Sequence, residues 1–193
     1  MTTAWEELPQ WMLPPRESGW EADDLDSIPS LPRHTELIDG ALIFMMSPQS
    51  SGHARLVGRL TQRLEEQAPE GFTVDREMTI RIDKKTRPEP DVLVSTVPYD
   101  EDRTRYLPEE VVLAVEVVSP ESADRDIKLK PGRYAEARIR HFWRIEKETD
   151  HVAVHVFELE ETTKTYVATG IYRDRLAVSV PFPVNIDLKS LRR

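Results

Sequence analysis

Apolar residues recur along this chain in two rhythms, and each predicts a kind of element. From Ser50 to Gln67, Leu56, Val57, Leu60 and Leu64 fall at helical spacing with arginines and glutamates opposite them, which predicts an amphipathic helix ended by Pro69 and Gly71. His53 lies four residues before Val57 and shares the buried stripe. Thr35 to Ile38 and Ala41 to Met46 flank Asp39-Gly40, a dipeptide suited to a tight type I′ turn, so a hairpin is expected. Val111 to Val118 is apolar at seven of eight positions and predicts a strand buried on both faces. Strands are also predicted at Phe72 to Glu77, Met78 to Ile82, Asp91 to Val97, Phe142 to Ile145, Val152 to Leu159, Tyr166 to Tyr172 and Leu176 to Val180.

Three further stretches have helical character. Ala22 to Ile28 suits a short helix, Asp124 to Arg138 a longer one, and Ile186 to Leu191 a last turn. Pro131 lies inside the second, which is therefore kinked there or starts there with proline in its first turn. Helix, antiparallel strands, helix and strands in that order predict an α/β domain around a mixed sheet. Residues 1–33, rich in Trp, Pro and acids, read as an arm, and residues 34–193 as a single domain. Trp5, Trp11 and Trp20 predict that the arm is docked, because such large rings are seldom left loose in water. Asp83-Lys84-Lys85 reads as a solvated turn.

Composition narrows the classes. With 32% charged and 39% hydrophobic residues the chain is neither disordered nor a membrane protein, and no run approaches the roughly 18 apolar residues of a spanning helix. The first residues lack a basic region followed by an apolar one, so the expected location is cytoplasmic, with no membrane partner. The absence of cysteine removes disulfides, zinc knuckles and thiol nucleophiles. A net charge of −9 argues against a protein that merely coats nucleic acid, although acids gathered at a metal site would inflate that number.

The chemistry concentrates between Pro90 and Lys130. Glu116 interrupts the most apolar strand, and a carboxylate there must be neutralised, paired or bound to a metal, because an unpaired buried charge is costly. Asp91 opens the preceding long strand, and the loop between them is long enough to set the two strands side by side. Two carboxylates meeting in this way can hold Mg²⁺ or Mn²⁺, which would activate water and offset charge in phosphodiester hydrolysis. Competing readings stand beside this one. Asp91 after Pro90 also suits a turn cap, Glu116 an ion pair with Arg125 or Lys130, and Lys130 a solvated helix. His53 also suits a hydrogen-bonded core position, and Glu36 a pair across the hairpin with a basic neighbour.

Pro90-Asp91, Glu116-Val117-Val118-Ser119-Pro120, Asp126, Lys130 and Tyr134, preceded by Glu36-Leu37-Ile38-Asp39-Gly40, Ser47-Pro48 and His53, resemble the Uma2 family of restriction-endonuclease-like proteins. That family belongs to the PD-(D/E)xK nuclease superfamily. The resemblance implies a restriction-endonuclease-like α/β core, its central mixed β-sheet flanked by helices, and a Mg²⁺- or Mn²⁺-dependent cut of DNA. Asp91 and Glu116 would be the metal ligands, with Glu36 and His53 as auxiliary site residues. The plain motif carries a lysine two residues after the second acid, where this chain has Val118. The family pattern moves the lysine to the next helix, where Lys130 fits better than Lys128. A homodimer is expected, since nucleases that cut both strands often use two sites. The alternative is a restriction-endonuclease-like module that binds nucleic acid or protein without turnover.

Overall fold

In a computed structural model, which describes residues 12–28, 31–44, 50–149 and 151–192, the chain is built on one six-stranded mixed sheet. In chain order the elements are α1 (Asp24–Ser27), β1 (Thr35–Ile38), β2 (Ala41–Phe44), α2 (Ser51–Glu65), β3 (Thr73–Arg76), β4 (Thr79–Ile80), β5 (Val92–Ser95) and β6 (Arg105–Tyr106). There follow β7 (Val111–Val117), a π-helical turn (Arg125–Leu129), α3 (Lys130–Glu136), β8 (His141–Lys147), β9 (Val152–Glu160), β10 (Thr165–Tyr172), β11 (Arg175–Val178), β12 (Val184–Asp187) and a final 3₁₀ turn (Leu188–Leu191). The sheet order is β10-β9-β8-β7-β5-β3. Its strands pair antiparallel except β7 and β8, which run parallel and are joined by the helical crossover through α3.

The apolar stripe of α2 lies on one face of this sheet. Leu56, Val57, Leu60 and Leu64 pack with Val92, Val94, Val115, Val117, Trp143 and Ile145, and the β11–β12 hairpin completes that layer through Leu176, Val184 and Ile186. On the other face Tyr134 of α3 packs with Leu93, Ala114, Ile139 and Phe142. Burial on both faces explains why β7 is almost wholly apolar, as its pattern predicts.

The hairpin forms as expected, with Asp39 at φ 53° and Gly40 at φ 81° in the left-handed conformations that a type I′ turn requires. Met45, Met46, Ser47 and Pro48, on which the predicted strand end and one motif fall, lie outside the described residues, as do Trp5 and Trp11. Trp20 is buried, and its neighbour Ala22 donates through N–H to the carbonyl of Lys84. The Asp83-Lys84-Lys85 turn is correspondingly more than a solvated loop: Lys85 Nζ donates to the carbonyls of Ser18 and Trp20 at 2.8 and 2.7 Å. Buried Arg87 adds a forked pair to Asp26.

Two boundaries differ from expectation. Glu77, at φ 55°, divides the predicted strands near it, and the second shrinks to Thr79–Ile80 in a small parallel pair with β6. Ile186 and Asp187 belong to a strand, and only Leu188–Leu191 turns. Ile186 is buried while Asn185 and Asp187 are exposed, an alternation too short to register as a strand.

Candidate active site

The site begins with strand register. Val92 stands opposite Val115 in the antiparallel β5–β7 pair, so Asp91, one residue earlier, falls beside Glu116, one residue later. Asp91 Oδ2 accepts the N–H of Val117 at 2.6 Å, and Oδ1 lies 2.9 Å from Nε2 of His53. That histidine is in place because Ser50 caps α2: its side chain accepts the His53 N–H, which fixes the first helical turn over the strand ends. His53 is thus a buried, hydrogen-bonded residue whose partner is the candidate metal ligand.

Glu116 projects from the same strand end into a second, fully buried cluster. Tyr134 donates to its Oε1 at 2.7 Å, and Lys130 Nζ stands 3.2 Å from each of its oxygens. The ammonium also meets Glu36 Oε1 at 2.7 Å, the carbonyl of Glu89 at 3.2 Å and Asp126 Oδ1 at 3.5 Å. Glu89 returns the tie, donating its N–H to Glu36 Oε1 at 2.7 Å. Glu36, Glu116, Asp126 and Lys130 are each no more than 4% exposed. The partner of Glu36 is therefore the helix lysine rather than a basic neighbour across the hairpin. Pro131 does not disturb Lys130: it follows directly on the π-helical turn, in which the Lys130 N–H bonds the carbonyl of Arg125, five residues back, and the helix runs on through the proline.

Charge is unbalanced in this cluster. Burial pushes the Glu116 carboxyl well up from its usual range against the opposing pull of Lys130, and it raises Asp126 in the same way. Burial would lower Lys130, but Glu116, Glu36 and Asp126 outweigh it and hold the ammonium charged. Glu36 Oε2 and Asp126 Oδ1 are buried without a hydrogen-bond partner, each facing a cation at longer range, Arg125 Nε at 3.9 Å and Lys130 Nζ at 3.5 Å. The surplus is one of hard oxygen donors, which suits a hard divalent cation. Among the described residues no three His, Asp or Glu side chains form a ready-made cage. A cation bound through one or two carboxylates and its own waters needs none, and at Asp91 and Glu116 it would have to displace the present partners of their oxygens, His53 and the Val117 N–H on one and Tyr134 and Lys130 on the other.

The predicted site residues therefore fall into two connected groups. Lys130 touches both Glu36 and Glu116, while Asp91 and His53 form a pair joined to them through the backbone of Val117. Sequence reading assigned no role to the main chain of Glu89, to Asp126 or to Lys147. Asp126, Lys130 and Tyr134 recur at intervals of four, the signal of one helical face. Lys147 ends β8, and its Nζ comes within 3.8 Å of where a Cβ on Gly52 would stand. Burial lowers its pKa, and the Asp91 carboxylate opposes that shift.

A mixed sheet with helices on its faces and acids at adjoining strand ends defines a protein of restriction-endonuclease-like fold. The family model for Uma2, described as putative restriction endonuclease, matches residues 22–189, and the chain belongs to that family. Among solved structures, a putative nuclease belonging to DUF820 from Anabaena variabilis superposes with a TM-score of 0.67 at 16% identity, over 88% of this chain and 95% of that one. No curated protein matches. Among the described residues no helix is long and apolar enough to cross a membrane.

Proposed function

We propose that this protein is a Mg²⁺- or Mn²⁺-dependent endonuclease that hydrolyses DNA phosphodiester bonds, with Asp91 and Glu116 as metal ligands. The observation that supports the reading is the β5–β7 register, which makes half-buried Asp91 and fully buried Glu116 neighbours along the backbone at one sheet end. A bound divalent cation would lower the pKa of water and offset negative charge at the reacting phosphate. The chain's own residues do the holding. His53 and the Val117 N–H fix the rotamer of Asp91, Tyr134 and Lys130 fix Glu116, and Glu36 with the Glu89 main chain fixes Lys130. Lys130 opposes the upward pull of burial on Glu116 and Asp126 and offsets negative charge at the site without leaving it.

Residues 34–193 act as one catalytic domain in this reading, with residues 1–33 as an arm, in a cytoplasmic homodimer that brings one site to each DNA strand. Calorimetric titration with Mn²⁺ tests the metal assignment: the parent binds, and Asp91→Asn and Glu116→Gln each lose most of that affinity while remaining folded. Equal affinity in all three proteins refutes it. A second reading, a module that binds without turnover, draws support from Glu116, whose oxygens are already engaged by Lys130 and Tyr134. Mn²⁺-dependent cleavage that disappears in Glu116→Gln excludes this alternative.

A further inference from the structure

A nuclease needs a positive charge that can reach the phosphate, and Lys130 is not free to supply it. An ammonium has three donors. Those of Lys130 face Glu36, Glu116 and the Glu89 carbonyl at a position only 4% exposed. A phosphate could reach it only by breaking one of these contacts.

Lys147 stands in the opposite condition. Its residue is exposed, and among the described residues its ammonium has neither a hydrogen bond nor an ion pair. Its position follows from register. In the parallel β7–β8 pair Ile145 faces Val117, and the N–H of Val118 bonds the carbonyl of Ile145. Lys147 therefore lies level with Ser119, just past the end of β7, while Glu146 stands beside Val118, the position where the plain motif would carry its lysine. It shares a strand face with Trp143 and Ile145, which pack in the α2 layer, so its side chain leaves the sheet on the side of His53 and the first turn of α2. Its Nζ lies 3.8 Å from where a Cβ on Gly52 would stand, next to the histidine whose Nε2 meets Asp91, and the amine is coupled electrostatically to that carboxylate.

We propose that Lys147 is the residue that contacts the scissile phosphate, pairing its ammonium with a non-bridging oxygen, while Lys130 holds the carboxylates in place. This rests on the nuclease reading above, and it divides between two lysines what the plain motif assigns to one. A compact, mobile cation on a flexible stem suits a charge that develops on phosphate oxygens.

Single-turnover cleavage of supercoiled DNA in Mn²⁺ tests the assignment wherever the parent cuts. Lys147→Met is expected to slow the reaction about a hundredfold, the loss typical of one transition-state donor, with Mn²⁺ affinity unchanged and Lys147→Arg recovering part of the rate. A Lys147→Met rate within twofold of the parent overturns the proposal. Should the parent not cut at all, titration of the Mg²⁺-loaded protein with inorganic phosphate, followed through lysine side-chain resonances in NMR, decides instead. A saturable shift of the Lys147 signal, lost in Lys147→Met with weakened phosphate binding, upholds the contact while the nuclease reading falls. An unmoved Lys147 signal overturns the contact itself.

Discussion

Replacing Lys130 by methionine isolates the buried charge cluster. The substitution keeps most of the side-chain volume and removes the cation, leaving Glu36, Glu116 and Asp126 facing one another with each only 2% exposed. Removing one partner of a buried pair costs about 3–5 kcal/mol, because the charge left behind has no compensation. Proton uptake by one acid limits that loss, at about 1.4 kcal/mol for each unit its pKa must rise. In a domain of this size each kcal/mol lowers Tm by about 2–4 °C, so the expected drop is about 6–20 °C. Thermal unfolding followed by circular dichroism at pH 7 reads it directly. Adding Glu116→Gln should recover part of the loss, since the amide still accepts from Tyr134 and one negative charge has gone. A Lys130→Met protein that melts within a degree or two of the parent would mean that this lysine is solvated, and the cage described above would be wrong.

Other outcomes follow from the same geometry. Glu116 and Asp126 carry raised folded-state pKa values, so the folded protein takes up protons more readily than the unfolded chain, and stability falls as pH rises above the ordinary value of 4.5 for Glu116. Glu116→Gln should flatten that fall in denaturant melts taken from pH 5 to pH 8. Saturating Mn²⁺ should oppose it, raising Tm more at pH 8 than at pH 5.5, because a cation binds the deprotonated carboxylates. Arg87→Ala removes the forked pair to Asp26 and a bond to the Ala22 carbonyl from a buried position, so limited proteolysis should cut within residues 12–28 several-fold faster than in the parent. His53→Ala should lower Mn²⁺ affinity about 10–100-fold, the usual cost of losing a residue that orients a ligand, with a thermal melt showing that the protein remains folded.

The most local signals in the sequence were the most legible. Asp39-Gly40 specified its hairpin by turn chemistry alone, and the spacing of Leu56, Val57, Leu60 and Leu64 specified α2, including the inward place of His53. Glu116 stood out because one carboxylate in an apolar strand has few inexpensive explanations. The contacts that make the site are different in kind. Lys130 meets Glu36 from a distant part of the chain, and nothing local to either residue records that contact. The role of Glu89 belongs to its peptide groups, which any residue but proline would supply, so no side-chain pattern could disclose it. Lys147 was hidden because an exposed lysine at a strand end is ordinary until register sets it just past the end of β7, near the first turn of α2. Pro131, expected to kink its helix or to start it, is instead accommodated by the π-helical turn that runs into it, a local winding that no residue spacing announces.

The central claim is that Asp91 and Glu116 form a metal-dependent nuclease site, and cleavage of supercoiled DNA by parent and Glu116→Gln, with and without Mn²⁺, tests it most directly. The account predicts nicked and linear products from the parent only when Mn²⁺ is present, and none from the variant. Cleavage by Glu116→Gln at the parental rate, or none by the parent at any Mn²⁺ concentration, would contradict it.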